Sequence, residues 1–576
     1  MLLYPTLAIL GLLPNALAFS DSPIVTGESG LSYVGLRNST SRQDYFLGIP
    51  FAQPPVGPLR FKPPVPWSRS DTRTVNATQN GYTCIQSARF TDDTMSEDCL
   101  TLNIWKPSKT NKKLPVMVWI YGGAFYAGGV SSFPGNYLVE RAIKIGKPVV
   151  YVAMNYRIGL YGFPPGQAAE DAGASNLGLK DQRLALEWIQ NNVAYFGGDP
   201  EKVIIFGESA GAVSAGCQTL YRGGNIGGAF RGMILESGSP SRQAHAHTLA
   251  NNLTTPILIY SITYSVRVLK PNDPGKEEAF RLIANVTSCD AKASNAFECI
   301  RKAPSEALIK ANDDLMKFDP YYQAPGQFPT IFGPTRAPGD DFFTDTPSKL
   351  LHAGKFAKVP FINGAQLDEG TIFVNGTSLN SDQDIINWAT ARHTGLYTSI
   401  TNETAVRELL KYYPADPAAG SPYNTGNETF GQGAEFKRYA SIFGDLFFQA
   451  PRRYHLRMAA IHEVKSWTYM FAERPLDFVP QFGAKHSGDI PFALQFVRVV
   501  NPNASAELLD LAQAMGDYWI NFAYNLDPNG ILGPSWPAYG RAEAGLQFLA
   551  SNTTTFKDSA RAQAIDFILS NPSLRD

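Results

Sequence analysis

The stretch Val203-Ile-Ile-Phe-Gly-Glu-Ser-Ala-Gly211 decides the fold of this 576-residue chain. Its first four residues are apolar and mostly β-branched, which predicts a buried strand, and residues 210–219 predict a helix. The glycines two positions before and after Ser209 allow strand and helix to pass closely in a tight turn. Such a turn exposes the serine hydroxyl, with the free N–H groups of the helix beside it.

Four other apolar runs have the composition of the strand before Ser209. Because they are hydrophobic without alternation, they predict strands buried on both faces of a sheet. The amphipathic segment 181–192 precedes the strand at 203, and this order of elements predicts parallel pairing. We expect an α/β fold with a large, mostly parallel central sheet flanked by helices, and a long insertion at 251–348 that forms a cap. The four runs are residues 115–121, 149–153, 232–236 and 359–362.

The N-terminus predicts a secreted protein. Residues 1–18 are apolar and end in Ala16-Leu17-Ala18, which is typical of a signal peptide cut after Ala18, and Pro14 argues against a membrane anchor. We expect one domain over residues 19–576, without a transmembrane segment in the mature chain, closed by helices at 508–524 and about 557–569. Glycosylation is favoured by sequons at Asn38, Asn76, Asn252, Asn285, Asn375, Asn402, Asn427, Asn503 and Asn552.

The composition excludes several classes of partner. Hydrophobic residues make up 44% of the chain and charged residues 18%, and the formal net charge is −1. This composition is that of a globular protein, and it gives no electrostatic reason to expect a nucleic acid or an anionic membrane as partner. We expect neither a cofactor nor a metal ion.

The five cysteines favour an oxidising compartment. Cys84 and Cys99 flank one short polar stretch, and Cys289 and Cys299 flank another, so each pair is expected to form a local disulfide. Cys217 lies in the helix after Ser209, and we interpret it as a buried apolar residue rather than a catalytic thiol.

A second glycine loop follows the predicted strand at 115–121. It reads Gly122-Gly123-Ala124-Phe125. Backbone N–H groups in such a loop, together with the N–H after the serine, can bind a developing oxyanion. We therefore predict Gly123, Ala124 and Ala210 as the donors.

Three longer motifs resemble the type-B carboxylesterase/lipase family, which includes cholinesterases, fungal lipases and catalytically silent neuroligins. The first motif comprises residues 196–211 around Ser209, and the second comprises residues 97–107 around Cys99. The third, residues 48–57, reads Gly-Ile-Pro-Phe-Ala-Gln-Pro-Pro-Val-Gly. The resemblance spans nearly the whole mature chain. It implies an α/β-hydrolase fold and the hydrolysis of carboxylic esters.

The resemblance also implies the partners of Ser209. It places the acid in segment 363–373, at Glu369, with Asp368 as the rival, and the base at His486 in a turn-rich loop. The other histidines after the acid, His393, His455 and His462, are expected to be packing or surface residues. Ser237 and Asp489 match positions that support the histidine in the family, and Glu208 is expected to form a structural salt link.

These roles predict a mechanism through an acyl-enzyme. Ser209 attacks the ester, His486 transfers the proton, and Glu369 orients the imidazole. Loop 85–98 is short and polar and has only Phe90 as an aromatic residue, so a lidded lipase and a cholinesterase lose support. We expect a carboxylesterase acting on a small-molecule or lipid ester. The alternatives are a lipase or sterol esterase and, from another class, a binding protein of the neuroligin kind.

Overall fold

A large central sheet organises the molecule. The computed structural model describes residues 22–576 except 28–29, 69–72, 89–90, 111, 241–269, 319–331, 338, 375, 391–401, 475–478, 531–532, 551, 572–573 and 575–576. Within these residues, a 12-stranded sheet contains strands in the order β17-β16-β15-β13-β12-β11-β9-β10-β8-β4-β3, and β14 also pairs with β13. Two small sheets have the orders β1-β2-β5 and β6-β7. The strands are β1 Ile24–Thr26, β2 Ser32–Val34, β3 Leu36–Asn38, β4 Gln43–Pro50, β5 Thr74–Asn76, β6 Thr83–Cys84, β7 Met95–Ser96, β8 Thr101–Pro107, β9 Leu114–Ile120, β10 Val150–Met154, β11 Gly198–Glu208, β12 Gly232–Glu236, β13 Phe361–Gln366, β14 Ser466–Trp467, β15 Tyr469–Phe471, β16 Ala544–Phe548 and β17 Thr554–Lys557.

Helices flank this sheet. The insertion predicted to form a cap contributes α6, α7 and α8 among the described residues, and α8 is joined to α2 where Asn312 accepts a hydrogen bond from the Leu160 N–H. The α-helices are α1 Asn136–Lys144, α2 Gly159–Gly162, α3 Gln167–Asp171, α4 Leu177–Asn192, α5 Ala210–Gln218, α6 Pro274–Val286, α7 Ala296–Lys302, α8 Ser305–Phe318, α9 Pro347–His352, α10 Asp382–Thr390, α11 Glu403–Leu410, α12 Phe436–Gly444, α13 Ala450–Ile461, α14 Ile490–Ala493, α15 Val497–Val500, α16 Ala506–Asn525 and α17 Ala562–Ser570. A π-helical turn, Asp445–Gln449, joins α12 to α13.

The predicted strands form the centre of the sheet. Every residue of β9 and of β10 is buried, as expected for strands covered on both faces. β9 pairs in parallel with β10 and β11, and β12 pairs in parallel with β11 and β13. The mostly parallel α/β sheet is therefore confirmed, with antiparallel pairs toward its edges, such as β8 with β10 and β16 with β17.

The predicted element ends need small corrections. Helix α4 begins at Leu177, four residues earlier than the amphipathic pattern indicated. Residue 557 belongs to β17 rather than to the last helix, because residues 554–557 pair with β16. The signal peptide, Phe90, His393, Asn252 and Asn375 lie outside the described residues.

The cysteines have the expected arrangement. The Sγ atoms of Cys84 and Cys99 are 2.05 Å apart, and those of Cys289 and Cys299 are 1.99 Å apart. Cys217 is a buried free thiol in α5. In the part of the chain that the structure describes, none of the helices combines the length and hydropathy that crossing a membrane requires.

Candidate active site

Ser209 lies in a strained turn between β11 and α5. Its backbone has φ 54° and ψ −122°, a conformation that residues other than glycine rarely adopt. A Cβ atom on Gly207 would lie 2.3 Å from the Ile120 carbonyl oxygen, and one on Gly211 would lie 1.9 Å from the same atom. Both flanking positions therefore require glycine, as the spacing of the motif predicted.

The glycine loop after β9 packs directly against this turn. A Cβ atom on Gly122 would lie 3.0 Å from the Cβ atom of Ser209. The next residues, Gly123, Ala124 and Phe125, have φ values of 97°, 51° and 63°. Among the described residues, the N–H groups of Gly123, Ala124 and Ala210 donate to no protein acceptor, so they remain available to a ligand. Ala210 provides the first N–H of α5, at the positive end of the helix dipole.

An acid and an imidazole meet beside the turn. Nδ1 of His486 lies 2.6 Å from Oε2 of Glu369, and both side chains are buried. The other carboxylate oxygen of Glu369 accepts a hydrogen bond from the Gln366 N–H at the end of β13. The carboxylate is thereby held in one orientation, and it can fix the imidazole so that Nε2 faces away from it.

Nε2 of His486 faces the serine turn, where it meets Glu208. The distance from Nε2 to Oε1 of Glu208 is 3.1 Å, and Ser487 Oγ donates to the same oxygen at 2.5 Å. Burial lowers the pKa of His486, but the carboxylates of Glu208 and Glu369 outweigh this effect and raise it to about 9. Burial raises the pKa of Glu208 to about 7, against the opposing effect of the imidazole. The salt link expected for Glu208 is thus made with His486 itself.

Asp368 has a different role from its neighbour Glu369. The side chain of Asp368 is buried, so it is not an exposed loop charge. One of its oxygens accepts from Ser421 Oγ at 2.8 Å and from the Tyr423 N–H at 2.9 Å, and the other accepts from the Ala484 N–H at 2.9 Å. Burial raises the pKa of Asp368 to about 6. Asp368 therefore links the acid turn to the histidine loop.

Two other described histidines after Glu369, His455 and His462, have packing roles. His455 stacks on Phe361 with ring centroids 4.3 Å apart, and burial lowers its pKa to about 3. His462 follows α13 and its Nε2 lies 3.0 Å from the carbonyl oxygen of His352. Neither imidazole is hydrogen-bonded to Glu369.

Ser237 and Asp489 lie near Glu369 and His486 but hydrogen-bond to other residues. Ser237 Oγ accepts a hydrogen bond at 3.4 Å from the side-chain amide of Gln366, the last residue of β13. Asp489 is fully buried and accepts from the Tyr469 hydroxyl at 2.6 Å. Burial raises the pKa of Asp489 to about 6, and its charge contributes to the raised pKa of His486. The structure thus places both residues near the acid and base without a hydrogen bond to the imidazole.

The sequence interpretation did not include an aromatic cluster beside His486. The ring centroids of Phe448 and Phe373 lie 4.7 and 5.1 Å from that of the imidazole. Phe443 stacks on Phe373 at 5.2 Å and on Phe447 at 4.2 Å. The four phenylalanines are half-buried, so they offer an apolar surface next to the base. The adjacent phenylalanines in Asp-Leu-Phe-Phe-Gln were the only signal of this cluster in the sequence.

A buried glutamine was also missed. Gln86 lies in the loop closed by Cys84 and Cys99, and its amide exchanges two hydrogen bonds with the backbone of Gly128. No local pattern marks this residue, because its partner is 42 positions away.

Comparison with known proteins agrees with this geometry. Residues 25–568 match the model of the carboxylesterase family. The chain is 34% identical to Lipase 4 of Diutina rugosa, with 96% of each chain covered, and 34% identical to Lipase 1 of Geotrichum candidum, with 93% of this chain and 92% of the relative covered. It is 32% identical to a cholinesterase of Mus musculus, with 90% of this chain and 81% of the relative covered. The chain therefore belongs to the carboxylesterase family of carboxylic ester hydrolases.

Proposed function

We propose that the protein hydrolyses carboxylic esters with Ser209 as nucleophile, His486 as general base and acid, and Glu369 as the residue that orients the imidazole. The observation that carries the proposal is the position of His486. Its Nδ1 contacts Glu369, while its Nε2 lies against Glu208, the residue directly before Ser209. An imidazole held in this way can take the serine proton and return it to the leaving alcohol.

The oxyanion of the tetrahedral intermediate would bind the N–H groups of Gly123, Ala124 and Ala210. These groups come from two loops that pack against each other at Ser209. Each such donor contributes roughly 3–4 kcal/mol to the reduction of the barrier in serine hydrolases. Water then hydrolyses the acyl-enzyme through the same steps.

The preferred substrates are dissolved esters with an apolar acyl or alcohol group. The phenylalanines beside His486 supply an apolar wall for that group. The loop between Cys84 and Cys99 is too short and polar to act as an interfacial lid, and Gln86 ties it to Gly128. A lipase is the second candidate function, since relatives named as lipases align over nearly the whole chain.

Secretion and glycosylation form part of the same proposal. Two relatives are named as secreted lipases, from Botryotinia fuckeliana and Gibberella zeae. Six described sequon asparagines are exposed and Asn38 is half-buried, so most of the described sequons are accessible to glycosylation. The exposed ones are Asn76, Asn285, Asn402, Asn427, Asn503 and Asn552.

Two measurements test the proposal. An organophosphate should label Ser209 stoichiometrically, and Ser209→Ala should abolish hydrolysis while the protein stays folded. Chromogenic esters of rising acyl length should give ordinary saturation kinetics, without a jump in rate at the solubility limit. Labelling at a different serine would contradict the mechanism, and a several-fold jump on emulsified triglyceride would favour the lipase.

A further inference from the structure

The loop closed by the first disulfide touches the loop that carries two of the oxyanion donors. We call residues 84–99 the disulfide loop and residues 122–129 the oxyanion loop. Gln86 of the disulfide loop has no exposed surface. Its Nε2 donates to the Gly128 carbonyl oxygen at 2.8 Å, and its Oε1 accepts from the Gly128 N–H at 3.0 Å. The side-chain amide of Gln86 thus hydrogen-bonds to both the N–H and the carbonyl oxygen of Gly128.

Gly128 can occupy this position only because it lacks a side chain. Its φ is 119°, and a Cβ atom there would lie 2.5 Å from the ring of Tyr121. The backbone of Gly128 is therefore enclosed between that ring and the amide of Gln86. Such a site fixes the backbone on two sides.

A tight turn connects Gly128 to the donor residues Gly123 and Ala124. The N–H groups of Tyr126 and Ala127 both donate to the Gly123 carbonyl oxygen at 3.0 Å. Ala127 precedes Gly128, and Gly123 carries one donor N–H. A displacement at Gly128 therefore moves Gly123 and Ala124 with it.

The oxyanion loop needs such support, because its conformation is not one that its residues prefer. Ala124 and Phe125 both have positive φ, although neither is glycine. Tertiary contacts must hold a backbone of this kind. Beyond Gly128, the Val130 N–H donates to the buried side chain of Asn155 at 3.1 Å. Within residues 122–129, Gln86 supplies two side-chain hydrogen bonds to the backbone, both at Gly128.

We propose that Gln86 is a positioning residue for the oxyanion hole, and that the disulfide loop braces this hole instead of covering the site as a lid. The proposal rests on the proposed function, because it assumes that Gly123 and Ala124 bind the oxyanion. It assigns a role to a loop that otherwise carries no catalytic group. The expected signature is a loss of transition-state binding without a comparable loss of substrate binding.

The first test uses Gln86→Met in the full chain, because methionine fills a similar volume without the amide's hydrogen bonds. Misplacing the donors should lower kcat about 10- to 100-fold while KM changes less than about 3-fold. A trifluoromethyl ketone gives an independent readout, since Ser209 adds to its carbonyl carbon, His486 takes the proton and the oxygen becomes an oxyanion. Its inhibition constant should rise by the same factor as kcat/KM falls.

Ser96→Ala is the matched control. Ser96 lies in the same disulfide loop, but its Oγ accepts a local hydrogen bond from the Asp98 N–H. This variant should keep kcat and the inhibition constant within about 2-fold of the wild type, as expected for an exposed local hydrogen bond. A loss in Ser96→Ala as large as that in Gln86→Met would overturn the proposal, because any change in the loop would then suffice.

A second variant, Gln86→Glu, keeps the test decisive if Gln86→Met does not fold. A protonated glutamic acid restores one donor and one acceptor for Gly128, whereas its carboxylate opposes the Gly128 carbonyl. Activity relative to the wild type should therefore rise as pH falls. A pH-independent ratio, or a folded Gln86→Met with unchanged kcat and inhibition constant, would overturn the inference. Activity remaining in Ser209→Ala would instead overturn the proposed function.

Discussion

Glu208→Gln should change the pH dependence of hydrolysis in a way that the structure specifies. The proposed mechanism requires a neutral imidazole at His486, whose pKa Glu208 and Glu369 raise to about 9 against the effect of burial. With that pKa, about 1% of the imidazole is neutral at pH 7. The second-order rate constant kcat/KM of the wild type should therefore rise with pH until the alkaline range.

The size of the change follows from the contact between Nε2 and Glu208. Nε2 of His486 and Oε1 of Glu208 are 3.1 Å apart, and the charges of Glu208 and Glu369 both raise the pKa of His486. Removing an opposite charge at such a distance lowers the pKa of a base by about 1–3 units. The midpoint of the acid limb should therefore move about 1–3 pH units lower in Glu208→Gln.

The upper plateau should fall at the same time. Glu208 stabilises the imidazolium in the free enzyme, and the same cation forms in the transition state. If both cations are stabilised equally, the plateau of kcat/KM falls about 10- to 1,000-fold, which is the factor by which the acid dissociation constant of His486 rises. The profiles of the two proteins should then coincide at low pH and separate as pH rises.

The assay is kcat/KM for a soluble ester whose leaving group does not titrate, measured between about pH 5 and pH 10. Ser487→Ala is the control. It removes the hydrogen bond that Ser487 Oγ donates to Glu208, but it leaves the carboxylate of Glu208 beside His486. The control should keep its midpoint within about 0.3 pH units of the wild type. A midpoint in Glu208→Gln that stays in place or moves upward would refute the reasoning.

Three further predictions follow from the site. Glu369→Gln should reduce kcat by orders of magnitude, and Asp368→Asn should reduce it less. Asp368→Asn should also lower the melting temperature, because a buried amide cannot accept all of the hydrogen bonds that the carboxylate accepts. The reverse ranking in kcat would identify Asp368 as the acid. Ala124→Gly should keep the donor N–H and stabilise the fold by roughly 1 kcal/mol in denaturant titrations, since glycine accepts a φ of 51° without strain. Ala124→Gly should also raise kcat/KM for bulky esters relative to small ones, because the methyl group of Ala124 narrows the space for the ester. An unchanged ratio of the two kcat/KM values would contradict this. Non-reduced peptide mapping should leave Cys217 as the free thiol, and any disulfide that includes it would contradict the structure.

The fold and the serine turn could be predicted from the sequence because short-range rules determine them. The continuous apolar runs can form strands covered on both faces, and the spacing of Gly207 and Gly211 follows from the contact of each with Ile120. The ends of elements were less predictable. The sequence pattern assigns Lys557 to the last helix, whereas it ends a strand because residues 554–557 pair with residues 544–547, which are distant from the helix pattern.

Choosing between Asp368 and Glu369 required tertiary structure. The two carboxylates are adjacent in the chain, and only the resemblance to the family favoured Glu369 as the acid. In the structure, donors from Ser421, Tyr423 and Ala484 occupy the oxygens of Asp368. The longer side chain of Glu369 keeps one oxygen for His486. The contact with His486, which lies 117 residues after Glu369 in the chain, thus distinguishes Glu369 from Asp368.

The aromatic contacts to His486 depend on a feature that local rules would misassign. Residues 445–449 contain good helix formers and lie between two α-helices, so a continuous α-helix is the default expectation. The segment is instead π-helical. Asp445, at its start, pairs with Arg561 at 2.6 Å, and Gln449, at its end, donates to the Gln366 carbonyl oxygen beside the acid. These two contacts fix both ends of the turn, and between them Phe448 reaches the imidazole of His486. Such turns are frequent at functional sites, and the contacts of this one lie around Glu369 and His486.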